Sequence, residues 1–305
     1  MEDRRPRLSL VAERKRTGEA PILHRRPSCS ELPEALEVPR MANLFARAAS
    51  HCVEAHLKRI PIFLAFAVAS PLFALDATLE TPLHDAACGD VALQMTSDDA
   101  ITRSVVVFPH ARYDLKPQQL SNEYDFSVKV PDGGITYVSV DLAPRTRELA
   151  PRQVEKYLDA IAANDAVRTA WKAHPERWRE QRTQHAKTLL RCGGDKRGGF
   201  QTSTGSGAEF VPQGTDPTTL KTGDTFRVIL IRQAQKTTLV RDTAFVLLRD
   251  DGSRVLTVKP PESGVASFVI PEPGRYVLTA TEVRPGDGKD VDWVSDYTTL
   301  SFTVE

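Results

Sequence analysis

The sequence predicts a mainly β fold, with two immunoglobulin- or transthyretin-like β-sandwich regions and an α-helical insertion between them. Short β-branched and aromatic runs, separated by Asp, Gly and Pro turn signals, recur before residue 149 and again after residue 209. Between them, residues 151–185 contain no glycine and are rich in helix formers. The chain has 305 residues and 41% hydrophobic content, which is enough for one or two globular cores.

The first 59 residues carry 12 Lys and Arg against 8 Asp and Glu, with many prolines and little hydrophobic periodicity. This composition predicts a disordered, basic N-terminal extension. Met41 offers an alternative start, and residues 1–40 would then lie outside the translated protein. The remaining chain is mildly acidic, which argues against a nucleic-acid partner.

Residues 60–74 are predicted to be the hydrophobic core of a signal peptide. Lys58 and Arg59 precede an apolar run, and small residues lie near its end, which is the pattern of a secretory leader. Cleavage is expected after Ala74 or Ala69, and the mature protein would be periplasmic or secreted. The uncharged run is shorter than the roughly 20 residues that a spanning helix needs, so membrane contact is expected only if the leader is retained.

The first β-sandwich region is predicted at residues 75–149 and the second at residues 209–305. Strands are expected at residues 91–95, 103–108, 124–130 and 135–142, and then at 226–232, 243–248, 254–258, 266–270, 276–281 and 298–304.

The helical insertion is predicted at residues 150–192. Val154, Tyr157, Leu158 and Ile161 fall at helical spacing after Pro151, and a further helical stretch is expected to continue beyond Trp178. Residues 193–208 are rich in Gly, Ser and Thr and predict a linker or mobile loop.

Five segments of the chain occur in a recognisable order: residues 155–158 (EKYL), 185–191 (HAKTLLR), 220–224 (LKTGD), 273–278 (PGRYVL) and 295–302 (SDYTTLSF). In this order they resemble a widespread family of exported bacterial proteins with a domain of unknown function. That family is grouped with the periplasmic, substrate-specific component of nickel-uptake systems (NikM-like). The resemblance covers about residues 75–305 and implies a secreted β-sandwich protein with a nickel or cobalt connection. Members begin with a His and a Trp-Leu pair, which residues 75–80 (LDATLE) lack.

Three histidines are the candidate metal ligands: His84 beside Asp85 and Cys88, His110 near Asp114, and His185. Imidazole, thiolate and carboxylate groups are the ligands that Ni²⁺, Co²⁺ or Zn²⁺ would take. None of these histidines has the tight spacing of an established metal motif. The alternative is that each is a surface or hydrogen-bonded residue.

Cys88 and Cys192 are the two cysteines that remain after leader removal, and they could form a disulfide in an oxidising compartment. Two buried or free thiols are the alternative. Cys29 and Cys52 precede the cleavage region.

Two charged groups near the chain's helical and C-terminal parts have competing interpretations. Asp287, Asp290, Asp292 and Asp296 could hold Ca²⁺ but more closely match a flexible surface loop. Trp293 and Tyr297 beside them are expected to pack over the end of the sandwich. A contact with an acidic partner or with membrane headgroups is one interpretation of four basic residues, but the interleaved glutamates favour a solvated helix face. These residues are Arg177, Arg179, Arg182 and Lys187.

The sequence contains no GxSxG, P-loop, HExxH or paired CxxC motif, so a non-enzymatic protein is expected. Two functions remain open. One is a periplasmic binding protein that acts in nickel or cobalt handling or uptake. The other is a structural or interaction β-sandwich module that docks on an envelope protein or polymer.

Overall fold

Sixteen β-strands, two α-helices and one 3₁₀ helix make up the described part of the chain. The computed structural model describes residues 78–79, 88–108, 111–193, 199–233 and 236–305. The N-terminal extension, Met41, the signal segment, Cys29, Cys52, His84 and His110 lie outside these residues. The strands are β1 (Gly89–Thr96), β2 (Ile101–Phe108), β3 (Ala111–Asp114), β4 (Gln118–Leu120), β5 (Glu123–Val130), β6 (Gly134–Leu142), β7 (Arg145–Leu149), β8 (Trp178–Cys192), β9 (Ala208–Pro212), β10 (Thr225–Gln233), β11 (Thr237–Val240), β12 (Phe245–Arg249), β13 (Arg254–Val258), β14 (Ala266–Val269), β15 (Gly274–Pro285) and β16 (Trp293–Val304).

A nine-stranded central sheet runs through both predicted β regions. Its order is β13-β12-β15-β16-β8-β6-β2-β3, and β7 also pairs with β8. The β16–β8 pair is parallel, and the other pairs of this sheet are antiparallel. Strand β8 therefore joins the strands of the first region to those of the second.

Two smaller sheets cover the central sheet on opposite faces. Along β6, Ile135 and Tyr137 belong to one hydrophobic core, while Val138 and Val140 belong to another, because successive strand residues point to opposite faces. The three-stranded sheet β1-β5-β4 covers the core that contains Val138 and Val140. Strands β9, β10, β11 and β14 cover the core that contains Ile135 and Tyr137. The predicted mainly β, sandwich-type fold is thus confirmed, and the two β regions share a core.

The two helices pack against residues of β7, β8, β15 and β16 in the central sheet. Helix α1 (Pro151–Ala160) begins with proline at its first turn, where the missing N–H costs nothing. Helix α2 (Asp165–Ala173) begins where the Asn164 side chain accepts a hydrogen bond from the Val167 amide at 2.9 Å. Tyr157, Trp171 and Trp178 form their shared core. No helix in the described ranges is long and apolar enough to span a membrane.

The prediction of helix beyond Trp178 is wrong. Residues Trp178–Cys192 form the 15-residue strand β8, which pairs with β6, β7 and β16. Its charged residues were interpreted as a solvated helix face, but Arg182 is 6% exposed and Lys187 is 1% exposed. Charge on a strand that is buried on both faces gives no hydrophobic alternation, so the sequence pattern was misleading.

The segment interpreted as a linker or mobile loop is partly packed against the sheets. Residues 194–198 are outside the description, but Thr204 is 0% exposed and Ser206 is 1% exposed. Both side chains bond to acidic residues of neighbouring strands. Residues 199–207 therefore form a strap that is bonded to strands β6 and β9.

Candidate functional site

Of the three predicted metal ligands, His185 is the one that the structure describes. It lies on β8 and is 5% exposed. Its Nδ1 lies 2.9 Å from Asp141 Oδ1 on β6, and its Nε2 lies 3.6 Å from Asp296 Oδ1 on β16. His185 is thus held between two carboxylates from the strands on either side of it.

Three further groups complete this His185 cluster. Arg103 Nη1 donates to Asp141 Oδ2 at 3.0 Å, and Ser206 Oγ donates to Asp141 Oδ1. A Cβ at position 207 would stand 2.6 Å from His185 Cε1, so only glycine allows the strap to close over the imidazole.

The electrostatics of the cluster favour a charged imidazole. Burial lowers the pKa of His185, but the carboxylates of Asp141 and Asp296 outweigh burial and raise that pKa to about 9. Burial would raise the pKa of Asp141, yet the hydrogen bond to His185 and its charge hold it below the usual value. A protonated imidazole has no lone pair to offer, so His185 in this state cannot ligate nickel or cobalt.

Ser206, His185 and Asp141 are the residue types of a hydrolase triad, but their arrangement differs from one. Ser206 Oγ lies 3.3 Å from His185 Nδ1, the same nitrogen that contacts Asp141. A general base would instead meet the serine through the nitrogen opposite the carboxylate. Because the serine is also buried, this cluster serves to bridge β6, β8, β16 and the strap.

Cys88 and Cys192 form a disulfide, with their Cα atoms 5.0 Å apart. It ties the residue before β1 to the end of β8 across 104 positions, and such a loop stabilises by about 4–5 kcal/mol in the chain-entropy model. Asp132 Oδ1 lies 3.7 and 3.8 Å from the two sulfurs. These three residues are the metal-ligand group that the described residues bring together, but both sulfurs are used by the disulfide.

Two more buried charged clusters lie along β8, and sequence reasoning missed both. Lys187 Nζ donates to Glu209 Oε2 at 2.8 Å and lies 4.9 Å from the Tyr137 ring centroid. Burial lowers the pKa of Lys187 and the Glu209 charge opposes this effect, while Lys187 holds the pKa of Glu209 below its usual value against burial. The pair is therefore ionic.

Glu180 is the centre of the other cluster and is 0% exposed. It accepts hydrogen bonds from Tyr157 Oη at 2.8 Å, Trp178 Nε1 at 2.9 Å and Arg147 Nη2 at 2.9 Å, and also from Ser295 Oγ. Burial would raise the Glu180 pKa, but Arg147 and these donors lower it. The carboxylate is thus a fully satisfied link between β8, β16 and helix α1.

The C-terminal acidic group does not converge on one point. Asp287 accepts hydrogen bonds from the amides of its own loop, Asp292 pairs with Arg177 and Arg179, and Asp296 belongs to the His185 cluster. The calcium interpretation therefore has no common site. Trp293 stacks on Trp178 with ring centroids 4.7 Å apart, so it packs on the core of the two helices.

A polar groove of about 660 Å³ opens between β11 and the far end of β15. Arg232 Nη1 donates to Glu282 Oε1 at 2.7 Å, and Arg284 Nη2 donates to Asp296 Oδ2 at 2.5 Å, so the groove borders the His185 cluster. Burial raises the pKa of Glu282 against the opposing effect of Arg284 and Arg232. The groove is lined by Asn164, Lys236, Thr237, Thr238, Leu239, Val240, Arg241, Asp242, Thr243, Glu282, Val283 and Arg284.

Sequence reasoning found neither the groove nor the partners of His185. These partners lie 44 and 111 positions from His185 along the chain (185 − 141 and 296 − 185), so only the sheet order brings them together. The groove depends on a strand of four residues, Thr237–Val240. A strand this short is too weak a pattern to be recognised in a sequence.

Comparison with known proteins gives a family match. A family model described as Domain of unknown function (DUF4198) matches residues 82–283, well over half of the chain. No curated protein matches it.

Among solved structures, the chain is similar to the BSP domain of a biofilm-associated protein, with 10% identity and a TM-score of 0.18 over 75% of this chain and 29% of that one. It is also similar to the human OSCAR ligand-binding domain, with 12% identity and a TM-score of 0.19 over 75% and 98% of the two chains. A third is the Yersinia pseudotuberculosis adhesin InvE, with 10% identity and a TM-score of 0.17 over 74% and 58%. The chain thus spans less than two thirds of the length of the first and third of these structures.

Proposed function

The chain belongs to the family described as Domain of unknown function (DUF4198), and we propose that it is an exported, non-catalytic interaction module whose partner binds in the groove beside β11. The observation that carries this proposal is a contrast in charge pairing. Lys187, Glu180 and His185 are buried and each has a partner of opposite charge. Lys236 and Arg241 line the groove, are exposed, and form no ion pair with a described residue.

Export is supported by two independent features. The apolar run at residues 60–74 follows two basic residues and ends in small residues, as a leader does. The disulfide between Cys88 and Cys192 belongs to an oxidising compartment. Both features support a periplasmic or secreted location, which is part of the proposal.

The interaction function is preferred over nickel or cobalt handling because of what His185 does. Its imidazole is enclosed by Asp141 and Asp296 and is held in the protonated form. Metal binding there would require loss of the proton and of two ion pairs. The catalytic alternative is disfavoured by the geometry of the cluster, because the buried Ser206 contacts the imidazole nitrogen that already faces Asp141.

Site-specific photo-crosslinking in the cells that produce the protein tests this proposal. A photoreactive residue replaces Thr238, which lines the groove, or Thr257 on β13, which is equally exposed and lies outside the groove. We expect a crosslinked adduct from position 238 alone, and we expect Lys236→Glu together with Arg241→Glu to reduce it. Equal adducts from both positions, or none from position 238, would contradict the proposal.

A further inference from the structure

Strand β11 has one unpaired edge in the part of the chain that the structure describes. It pairs with β10 through the register Gln233↔Thr237 to Leu230↔Val240. Strand β14 pairs with the other end of β10, at Thr225 to Val228. No described strand lies on the outer side of β11, so its outward backbone N–H and C=O groups are available to another strand.

That free edge faces the groove. All eight residues from Lys236 to Thr243 line it, although successive side chains of a strand point to opposite faces of the sheet. Side chains alone would place only alternate residues there. A continuous run of lining residues is expected when the backbone edge of the strand itself forms the wall of the groove.

The opposite wall is also a strand, and part of its edge pairs with none of the strands that the structure describes. Strand β15 pairs with β12 only from Tyr276 to Ala280, whereas its pairing with β16 continues to Pro285. Glu282, Val283 and Arg284 lie in the part beyond β12, and all three line the groove. The groove is therefore bounded by the edges of two strands.

The charges of the groove favour an acidic occupant. Its lining holds three cations, Lys236, Arg241 and Arg284, against two carboxylates, Asp242 and Glu282, a difference of one positive charge. The two cations without a described ion-pair partner stand just before and just after β11. They are five positions apart, which is about 17 Å along an extended chain.

A second copy of this chain fits the same edge poorly. Antiparallel pairing of two β11 strands about a two-fold axis would place Lys236 of one copy near Arg241 of the other. Like charges directly opposite each other destabilise a strand pair, and cations at a sheet edge are a common protection against self-association. The same cations attract a partner strand that carries carboxylates.

We propose that an extended, acidic peptide segment of another protein binds here by adding as a strand to β11. This inference rests on the proposed function and specifies its partner class. Main-chain hydrogen bonds to Thr237–Val240 would supply affinity, and carboxylates that meet Lys236 and Arg241 would supply selectivity.

The test is a calorimetric titration of the full chain with synthetic strand peptides. The probe is about six residues long and alternates valine and threonine between a glutamate at each end, so its two glutamates are five positions apart, as Lys236 and Arg241 are. One matched peptide carries lysine in place of glutamate. Another is N-methylated at alternate backbone nitrogens, which keeps its side chains but removes its ladder donors.

We expect the glutamate peptide to bind and the two matched peptides to bind at least about ten-fold more weakly. Lys236→Glu with Arg241→Glu is expected to reverse the preference between glutamate and lysine, whereas the exposed control Lys259→Glu leaves it unchanged. Amide hydrogen exchange at Thr237–Val240 is expected to slow on binding.

Three results would overturn strand addition: no binding of the glutamate peptide, equal binding of the N-methylated peptide, or slowed exchange elsewhere than β11. If the position 238 crosslink persists in that case, the groove still binds a partner and only the class of partner is wrong. If the crosslink is also absent, the proposed function fails as well. Dimerisation that Lys236→Glu strengthens would identify a second copy as the occupant and contradict the proposal.

Discussion

Strand β8 and the two residues that flank β11 carry similar charged side chains in opposite settings. On β8, Glu180, His185 and Lys187 lie inside the protein, and each meets an opposite charge from another strand. On either side of β11, Lys236 and Arg241 stay in solvent without a described ion-pair partner. Charge on β8 therefore has a structural role in joining layers, while charge beside β11 remains available for a partner.

The comparison also explains why the strap is ordered where the sequence suggests a linker. Glu209 accepts hydrogen bonds from the amides of Thr204 and Gly205 at 2.8 and 3.0 Å, as well as from Lys187. Asp141 accepts one from Ser206. The charged residues of β8 thus fix the strap indirectly, since their own counter-ions anchor it. Substitutions that break the ion pairs of β8 should therefore cause the largest losses in the free energy of unfolding.

The largest effect is expected for Lys187→Met. Loss of the ammonium leaves the Glu209 carboxylate buried beside an apolar side chain. Removing one partner of a buried ion pair costs about 3–5 kcal/mol. Urea unfolding at neutral pH measures this as a fall in the free energy of unfolding.

A double variant sharpens this result. Lys187→Met combined with Glu209→Gln removes both charges, so its loss is expected to be smaller than the sum of the two single losses. Additive losses, or a loss below about 1 kcal/mol for Lys187→Met, would show that the two groups do not depend on each other.

A pH-dependent effect is expected at His185. Its pKa is raised from 6.5 to about 9, so the stability gained from protonation is complete below pH 6.5 and is lost as the pH rises through 9. The difference in free energy of unfolding between the protein and the His185→Gln variant should therefore shrink by about 3 kcal/mol as the pH rises from 6.5 to 9.

The measurement is a set of urea unfolding curves from pH 6 to pH 10 for both proteins. Comparing them cancels the titration of groups that both contain. Both proteins contain the same charged and polar groups around position 185, which are Asp141, Asp296, Arg103, Arg284 and Ser206. A difference that stays constant with pH would contradict a protonated His185.

Much of the fold was predictable, and the reason lies in local pattern. Strand β13 (Arg254–Val258) is predicted with both ends correct, and β2, β5 and β6 within two residues at each end, because each is a β-branched run closed by turn residues. Helix α1 begins at Pro151 as its periodicity indicates. These signals are contained within about ten neighbouring residues.

Strand β8 and its clusters could not be predicted in the same way. Its centre position in the sheet, between β6 and β16, depends on partners far away in sequence. The charges of Glu180, Arg182 and Lys187 resemble a solvated surface until their partners are known. His185 was identified as a candidate site residue from the sequence, but its partners, protonation and burial are properties of the assembled sheet.

A moderate effect is expected for Glu180→Gln. The carboxylate accepts from Tyr157, Trp178 and Arg147, and an amide in its place would turn a donor toward at least one of these donors. We expect a loss of about 2 kcal/mol, because hydrogen bonds to a charged group are replaced by weaker or unsatisfied ones.

Tryptophan fluorescence locates the effect of Glu180→Gln. All three tryptophans of the chain lie in this region, and Trp178 stacks on Trp293. The native emission spectrum should shift for Glu180→Gln and remain unchanged for Lys187→Met, whose cluster contains no tryptophan. A shift in both variants would mean that the two clusters of β8 are not independent.

The smallest effect is expected beside β11. Lys236→Glu with Arg241→Glu changes two exposed side chains that have no described ion-pair partner, so the free energy of unfolding should change by less than about 0.5 kcal/mol. Lys259→Glu is the control for an exposed charge reversal elsewhere. A loss above about 1 kcal/mol at β11 alone would show that these cations stabilise the fold. A near-zero change, against the large loss for Lys187→Met, would mean that fold stability does not explain two cations at a free strand edge, which leaves partner binding and protection against self-association as the physical reasons for them.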